Sequence, residues 1–175
     1  MSALLKSDAE IAGSITCILC DVDSVMTDGR IIYDANGCET KQFHVKDGVA
    51  IKAWMRAGFQ FGILTARKSP IVLRRAEELG VRHVQQGFED KWPAAQQMLA
   101  DMKANHSEVC YIGDDLRDMP VMKRVSLAVT PADGAQDVRH LAHWILQRDG
   151  GRGAVRELVE RLLRAKLRWE EHVPE

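Results

Sequence analysis

Carboxylate side chains cluster at two places in the sequence, each directly after an apolar run. Five aspartates are involved: Asp21 and Asp23 after the first run, and Asp114, Asp115 and Asp118 after the second. Carboxylates gathered in one place repel one another unless a hard cation such as Mg²⁺ neutralises them, and Mg²⁺ also binds phosphate oxygens. The two clusters therefore indicate metal-assisted chemistry on a phosphate, provided that the fold brings them together.

The first pair has a spacing that suits the hydrolysis of a phosphate ester. Asp21 can attack phosphorus as a covalent nucleophile, which forms an aspartyl phosphate. Asp23 can protonate the leaving alkoxide and then activate water. Thr65 and Lys91 lie past two further apolar runs and can hold the phosphoryl oxygens, where charge stabilisation does most of the catalytic work. A single D-x-D is an ordinary turn, but this ordered combination indicates a functional site.

Alternating apolar runs and amphipathic segments predict the scaffold that must position these residues. Strands are predicted at 15–20, 59–64, 81–84, 108–113, 125–129 and 143–146, because these runs are apolar on both faces, as a covered parallel sheet requires. Helices are predicted from Ser69-Pro70 to Leu79, from near Pro93 to near Lys103, and over 154–163. This alternation predicts a three-layer α/β domain with a Rossmann-like parallel sheet, whose central strand ends form the ligand crevice.

One stretch, at 30–45, breaks the alternation. Asn36-Gly37 lies there between two β-prone runs, which is a strong signal for a β-hairpin. We therefore predict a single domain over 1–175 with an inserted hairpin and no cap domain. A lone two-stranded hairpin is only marginally stable in water. The same hairpin from other subunits can supply partners for its apolar residues, Ile31, Ile32, Tyr33 and Phe43.

Composition limits the class of protein. The 175 residues are 46% apolar and 28% charged, which is typical of a globular domain. Twenty-four basic and 25 acidic residues give a net charge of -1, so there is no basic excess for nucleic acid or an anionic membrane surface. The apolar runs are too short to span a bilayer, and the first ten residues lack a signal pattern. We expect a cytoplasmic protein with no nucleic-acid or membrane partner.

Some residues that could carry chemistry are predicted to be structural. Cys17 and Cys20 have the C-x-x-C spacing of redox pairs and zinc sites. On a strand, however, residues three apart point to opposite faces and lie about 10 Å from each other, so both are predicted to be core residues. The tryptophans are expected in the core or at interfaces. The histidines have no ligand spacing; His44 is the exception, because its hairpin should approach the site.

The sequence resembles the haloacid dehalogenase superfamily and, within it, the capless 3-deoxy-D-manno-octulosonate 8-phosphate phosphatases. The resemblance covers about 15–157. It is carried by DVDSVMTDG at 21, DANG at 34, FHVKDG at 43, ILTARKSPIV at 63, GDDLRDMPVM at 113, PAD at 131 and GGRGAVRE at 150. The first and fifth of these motifs identify only the superfamily. The hairpin, the T-A-R-K-S stretch and GGRGAVRE are more specific to this branch.

The resemblance implies a Mg²⁺-dependent phosphatase that acts on a sugar-acid phosphate, in the pathway of a lipopolysaccharide core sugar. It implies Asp21 as nucleophile, Asp23 as general acid and base, and Mg²⁺ held by Asp21, Asp114 and the backbone carbonyl of Asp23. Asp115 and Asp118 would lie outside the ligands of that metal or order its waters. The remaining implied contacts are Thr65 and Lys91 with the phosphate, and Arg67, Ser69 and Arg152 with the sugar acid. Capless relatives assemble as homotetramers whose hairpins pack beside the sites.

Two departures from the family pattern keep alternatives open. Ser24 stands where the family usually has glycine, and Val49-Ala50 replaces a glycine commonly seen there. A nine-carbon ulosonate 9-phosphate is therefore an alternative substrate, and a catalytically silent oligomerisation module is an alternative role. A signalling receiver has a similar acidic pair and lysine, but it lacks the second aspartate of D-x-D and the hairpin.

Overall fold

The computed structural model describes residues 8–173 of the chain. Its strands, numbered along the chain, are β1 Cys17–Cys20, β2 Ile32–Tyr33, β3 Glu39–Thr40, β4 Gln60–Thr65, β5 His83–Gln86, β6 Val109–Ile112, β7 Leu127–Thr130 and β8 Trp144–Ile145. Six of them form one parallel sheet, and β2 and β3 form a separate antiparallel hairpin. All six strands predicted for the sheet are present, with ends that differ from the prediction by no more than two residues.

The helices are α1 Asp8–Ser14, α2 Val45–Arg56, α3 Pro70–Leu79, α4 Lys91–Met102, α5 Met119–Met122, α6 Gln136–Leu141 and α7 Ala154–Ala165. Short 3₁₀ turns lie at His106–Glu108 and Glu170–His172. Helix α3 has its predicted bounds, and the left-handed Gly80 ends it. Helix α4 begins earlier than predicted, because the Asp90 carboxylate accepts a hydrogen bond from the Trp92 amide at 3.2 Å. From residue 8 to residue 173, no helix is both long and apolar enough to cross a membrane.

The strand order, β5-β4-β1-β6-β7-β8, creates a crevice at one edge of the sheet. After β1, the chain adds β4 and then β5 on one side of β1. It then crosses to the other side of β1, where it adds β6, β7 and β8. Strand β1 pairs in parallel with both β4 and β6. The connections therefore diverge between β1 and β6, and ligands bind at the carboxyl ends of strands around such a switch point.

Side chains alternate along the central strands into two cores, one on each face of the sheet. Ile18 and Cys20 belong to the core formed with α1, α2, α3 and α7, whereas Cys17 and Leu19 belong to the core formed with α4, α5 and α6. The prediction for Cys17 and Cys20 is confirmed, because the two thiols are free, buried and on opposite faces. The architecture is the predicted three-layer α/β fold, without a cap domain between residues 8 and 173.

The hairpin forms around the predicted Asn-Gly turn. Asp34 Oδ1 accepts hydrogen bonds from the amides of Asn36 and Cys38, each at 2.8 Å, and Gly37 has a φ of 79°. Each strand contributes only two paired residues. The chain then enters α2, so the insertion ends where the prediction placed it.

One of the four apolar hairpin residues does not need a partner from another subunit. Phe43 packs against the larger core, with the Arg75 guanidinium 5.7 Å from its ring centre. The prediction for this residue was wrong, because Phe43 lies just before α2 and its side chain packs against the core of its own domain. Ile31, Ile32 and Tyr33 remain exposed.

Candidate active site

The ends of three adjacent strands bring the predicted polar residues to one edge of the sheet. Asp21 directly follows β1, Thr65 is the last residue of β4, and Asp114 comes two residues after β6. Lys91 is the first residue of α4, and its ammonium lies 2.7 Å from the Asp21 carboxylate. The two acidic clusters of the sequence therefore meet in the crevice beside β1, as predicted.

Lys91 is a buried cation between two buried carboxylates. Only 2% of its surface is exposed, and its Nζ lies 2.6 Å from Asp118 Oδ1 as well as close to Asp21. Burial alone would lower the pKa of Lys91, but these two carboxylates outweigh it and raise the pKa above its ordinary value. The Tyr111 hydroxyl donates to the same Asp118 oxygen at 2.6 Å. The lysine is therefore charged and held in one position.

Asp118 shapes the turn after β6. Its second oxygen, Oδ2, accepts hydrogen bonds from the amides of Asp114 at 2.9 Å and Asp115 at 3.1 Å. A Cβ on Gly113 would lie 2.4 Å from the Asp118 carboxyl carbon, so only glycine fits there. Both Asp118 oxygens are thus engaged, whereas Asp115 is exposed and accepts from the Leu116 amide.

The donor set at this edge fits a hard divalent cation. One oxygen each from Asp21, Asp114 and Asp118 lie within 4.8 Å of one another. Burial and the charge of Asp118 raise the pKa of Asp21 to about 7, although Lys91 opposes them. Burial and the charges of Asp21 and Asp118 raise the pKa of Asp114 to about 8. One lysine does not balance three carboxylates, and oxygen donors with excess negative charge are what Mg²⁺ requires.

Asp23 faces the hairpin. The Lys41 ammonium donates a hydrogen bond to Asp23 Oδ1, and Arg67 Nε lies 4.0 Å from Oδ2. Lys41 was not predicted as a site residue, although residues 39 and 41 lie two apart and so share one face of an extended strand. The spacing predicts that the two residues share a face, but it does not indicate that this face meets Asp23, so no local signal identifies Lys41.

Glu39 joins the hairpin to the residues after β4. It accepts hydrogen bonds from Ser69 Oγ at 2.6 Å and from the Arg67 guanidinium at 2.9 Å. The hydrogen bond from Ser69, with those of Arg67 and the charge of Lys41, lowers the pKa of Glu39. Arg67 and Ser69 therefore lie close to the hairpin beside Asp23, and both are paired with a hairpin carboxylate that was not predicted.

Arg152 forms an ion pair with a residue outside the acidic cluster. It precedes α7, its side chain is 64% exposed, and its guanidinium lies 3.9 Å from Asp28 Oδ2. His44 lies beside the same turn, since its ring lies 4.0 Å from where a Cβ on Gly153 would be. The root of the hairpin and the turn before α7 are thus neighbours at the rim of the site.

Ser24 occupies a left-handed backbone conformation, with a φ of 69°. Glycine adopts this conformation readily and other residues adopt it at a cost, which explains why glycine would be favoured at this position. A Cβ on Gly29 would lie 2.3 Å from Ser24 Oγ. The turn therefore accepts serine because its neighbour across the loop is glycine.

Comparisons with known proteins agree with this geometry. The family model described as haloacid dehalogenase-like hydrolase matches residues 84–158. The 3-deoxy-D-manno-octulosonate 8-phosphate phosphatase of Yersinia pestis is 40% identical over 159 residues, which cover 91% of this chain and 85% of the relative. Its crystal structure matches with a TM-score of 0.91 at 39% identity, over 94% of this chain and 89% of that chain.

A second solved structure carries ligands. The 3-deoxy-D-manno-octulosonate 8-phosphate phosphatase of Moraxella catarrhalis, in complex with a magnesium ion, a phosphate ion and a KDO molecule, matches with a TM-score of 0.91 at 35% identity, over 94% of each chain. The fold, the paired acidic clusters and these relatives lead to one conclusion. The chain belongs to the 3-deoxy-D-manno-octulosonate 8-phosphate phosphatase family of the haloacid dehalogenase-like hydrolases.

Proposed function

We propose that this protein is a Mg²⁺-dependent phosphatase that hydrolyses 3-deoxy-D-manno-octulosonate 8-phosphate. The observation that carries the proposal is the buried Lys91, held 2.7 Å from Asp21 beside the carboxylate cluster at the strand ends. This arrangement suits a phosphoryl group that must be bound and attacked in one place. The Moraxella catarrhalis relative, which holds magnesium, phosphate and KDO, supports the same cofactor and the same pair of products.

The residues that would hold Mg²⁺ are Asp21 and Asp114 through their carboxylates and Asp23 through its backbone carbonyl. When bound, the ion would neutralise the clustered carboxylates and stabilise charge on the phosphoryl oxygens. Asp118 supports this site from outside, because its two oxygens are already engaged by Lys91, Tyr111 and two backbone amides. The exposed Asp115 would order solvent around it.

The chain's own side chains would carry the reaction in two steps. A carboxylate oxygen of Asp21 attacks phosphorus, the bond from phosphorus to the sugar oxygen breaks, and Asp23 gives a proton to the departing alkoxide. Water then attacks the phosphorus of the aspartyl phosphate and gives a proton to Asp23. The bond between phosphorus and Asp21 breaks, so phosphate is released and the Asp21 carboxylate is restored. Lys91 and the Thr65 hydroxyl hold the phosphoryl oxygens during both steps.

The sugar-acid portion would be recognised at the mouth of the site. Arg67, Ser69 and Arg152 are the candidates there, because a guanidinium can bind a carboxylate with two parallel hydrogen bonds. Val49 departs from the family pattern and is 54% exposed on α2, which keeps the nine-carbon ulosonate 9-phosphate as the second candidate substrate. Phosphate release from both sugar phosphates, with and without Mg²⁺, tests the proposal. Faster turnover of the nine-carbon compound would overturn the choice of substrate.

Replacing Asp23 with asparagine is expected to slow hydrolysis of the sugar phosphate by about 10²–10⁴-fold, the usual worth of a positioned general acid or base. The Mg²⁺ concentration for half-maximal activity should change little, because this residue would ligate through its backbone carbonyl. Initial rates over a Mg²⁺ titration measure both quantities. A variant that keeps its maximal rate but needs far more Mg²⁺ would show that the carboxylate is a metal ligand and not the proton donor.

We also propose that the protein is a single phosphatase domain over 1–175 that assembles as a homotetramer through its hairpins. Ile31 and Tyr33 are 56% and 59% exposed on the hairpin. Val45 and Val49 are exposed one helical turn apart on the adjoining helix α2. Exposed apolar side chains of this kind support burial against copies of the same chain. Neighbouring subunits would also cover the mouth of the site, which lacks a cap within residues 8–173.

The change Ile32→Lys is expected to break the tetramer and weaken substrate binding while leaving Mg²⁺ binding intact, because it places a charge in the middle of the proposed interface. Light scattering should report four chains of 19.6 kDa for the wild type and smaller species for the variant. Leu167→Lys is the matched control, since that side chain is 90% exposed and lies far along the chain from the hairpin. A fully active wild-type monomer would contradict the proposed assembly.

Family membership supports a cytoplasmic location and a role in making a lipopolysaccharide core sugar, and we propose both. The four cysteines are free thiols, which suits a reducing compartment.

A further inference from the structure

A turn before α7 packs directly on the loop that follows Asp23. We call 150–153 the glycine turn and 24–28 the Asp23 loop. The amide of Gly151 donates to the carbonyl of Val25 at 2.9 Å. A Cβ added to the preceding glycine would lie 1.7 Å from a carbonyl oxygen of the Asp23 loop, so the two backbones touch with no space between them. Displacement of the glycine turn would therefore displace the Asp23 loop.

The glycine turn is anchored at both ends by carboxylates from elsewhere in the chain. Its far end leads into α7, whose first amides have no partners within the helix, and the residue at the N-cap, Gly153, has no side chain to supply one. Asp47 Oδ1, from α2, accepts from the Arg156 amide in that first turn at 2.8 Å. At the other end, Asp133 Oδ1 accepts from the Gly150 amide at 2.9 Å.

The position of Asp47 is unfavourable for a carboxylate, because it is buried. It is only 2% exposed, and its second oxygen, Oδ2, is buried with no hydrogen-bond partner among residues 8–173. Burial raises the pKa of Asp47 to about 6. An apolar side chain between α2 and α7 would avoid this desolvation, but it could not accept the amide hydrogen bond that fixes the start of α7.

We propose that Asp47 is a positioning residue for Asp23. By capping α7 it fixes the glycine turn, and the glycine turn fixes the loop that follows the proton-transferring carboxylate. This inference rests on the proposed function of Asp23. It adds a residue more than 20 positions away in sequence, on a different element, whose effect on the reaction passes through backbone contacts.

The proposal predicts an effect that depends on the leaving group. A sugar alkoxide needs a proton in order to depart, whereas p-nitrophenolate departs with little help. Misplacing a reacting group by about 1 Å can cost about 10²-fold in rate. The second step is common to both substrates, so the comparison is made on release of the leaving group within one turnover, at saturating enzyme. Asp47→Leu should lower the rate of sugar release by about 10–100-fold and leave the rate of p-nitrophenolate release within about threefold.

Three further variants complete the experiment. Asp47→Asn keeps an acceptor oxygen and should recover most of the sugar-phosphate rate. Glu160→Gln removes ion pairs to Arg156 and Arg164 on the same helix and should keep the wild-type ratio of the two rates. Asp133→Ala removes the other anchor at an exposed position and should show the same selective loss as Asp47→Leu. If Asp47→Leu does not fold, Asp133→Ala tests the proposal in its place.

The outcomes separate this inference from the proposed function. Equal losses on both substrates in Asp47→Leu, or an unchanged rate ratio in both Asp47→Leu and Asp133→Ala, would overturn the positioning role while leaving the phosphatase activity in place. A wild-type protein that hydrolyses neither substrate would overturn the proposed function itself. A selective loss on the sugar phosphate that Asp47→Asn largely restores is the expected result.

Discussion

Asp21→Asn is expected to abolish phosphate release, with a loss of about 10⁴-fold or more, as removal of a covalent nucleophile causes. The amide has nearly the shape of the carboxylate, but its nitrogen and oxygen cannot attack phosphorus to form an acyl phosphate. Initial rates at saturating Mg²⁺ measure the effect. Asp101→Asn makes the same chemical change at an exposed position of α4 and should leave the rate unchanged. A rate near that of the wild type for Asp21→Asn would rule out the covalent route.

The same variant should fold at least as stably as the wild type when Mg²⁺ is absent. Burial and Asp118 raise the pKa of Asp21 to about 7, far above its ordinary value of 3.8. A raised carboxyl pKa means that ionisation destabilises the folded state once the pH exceeds the value in the unfolded chain. Asparagine carries no charge and avoids that penalty, so lost activity cannot be ascribed to unfolding. Thermal unfolding in the presence of a chelator checks this expectation.

Lys91→Met is expected to have the second largest effect, on both activity and stability. The change leaves Asp21 and Asp118 buried without their shared cation. Breaking a buried ion pair by removing one partner typically costs about 3–5 kcal/mol. Loss of one donor to the developing phosphoryl charge should lower kcat by about 10²–10³-fold. Denaturant unfolding and phosphate release measure the two effects separately.

Lys123→Met is the matched control for this change. Lys123 is exposed at the end of α5, so its loss should alter neither quantity. High Mg²⁺ should recover part of the stability of Lys91→Met, because the ion can balance the same carboxylates, but it should not recover the rate. A Lys91→Met enzyme that turns over at the wild-type rate would show that the lysine serves only the fold.

The parts of the fold that could be predicted are those with a local pattern. Apolar runs predicted the strands, because strands that are buried on both faces consist of apolar residues. The residues after those strands could be predicted to lie together, because the carboxyl ends of parallel strands lie at one edge of the sheet. Helix α2 has no such pattern. Its buried positions include Asp47 and Gly48, while Val49 points outward, so the usual apolar spacing of a helix is inverted at its start.

The parts of the site that could not be predicted depend on contacts between distant segments. Lys41 and Glu39 belong to a hairpin whose tilt over the strand ends has no local signature. Tyr111 lies in an apolar strand, so its sequence context predicts a core residue, although its hydroxyl donates a hydrogen bond to Asp118. The sequence predicts Asp47 to be an ordinary polar residue in the first turn of a helix, although it caps a helix more than 100 residues away.

The most direct test is to identify the residue that carries the phosphoryl group during turnover. The wild-type enzyme is mixed with 3-deoxy-D-manno-octulosonate 8-phosphate and Mg²⁺, quenched within one turnover, and reduced with borohydride, which converts an aspartyl phosphate to homoserine. Peptide mass spectrometry should then find homoserine at position 21, and only when substrate and Mg²⁺ are both present. Homoserine at position 23, or none at either position while phosphate is being released, would contradict the covalent role of Asp21.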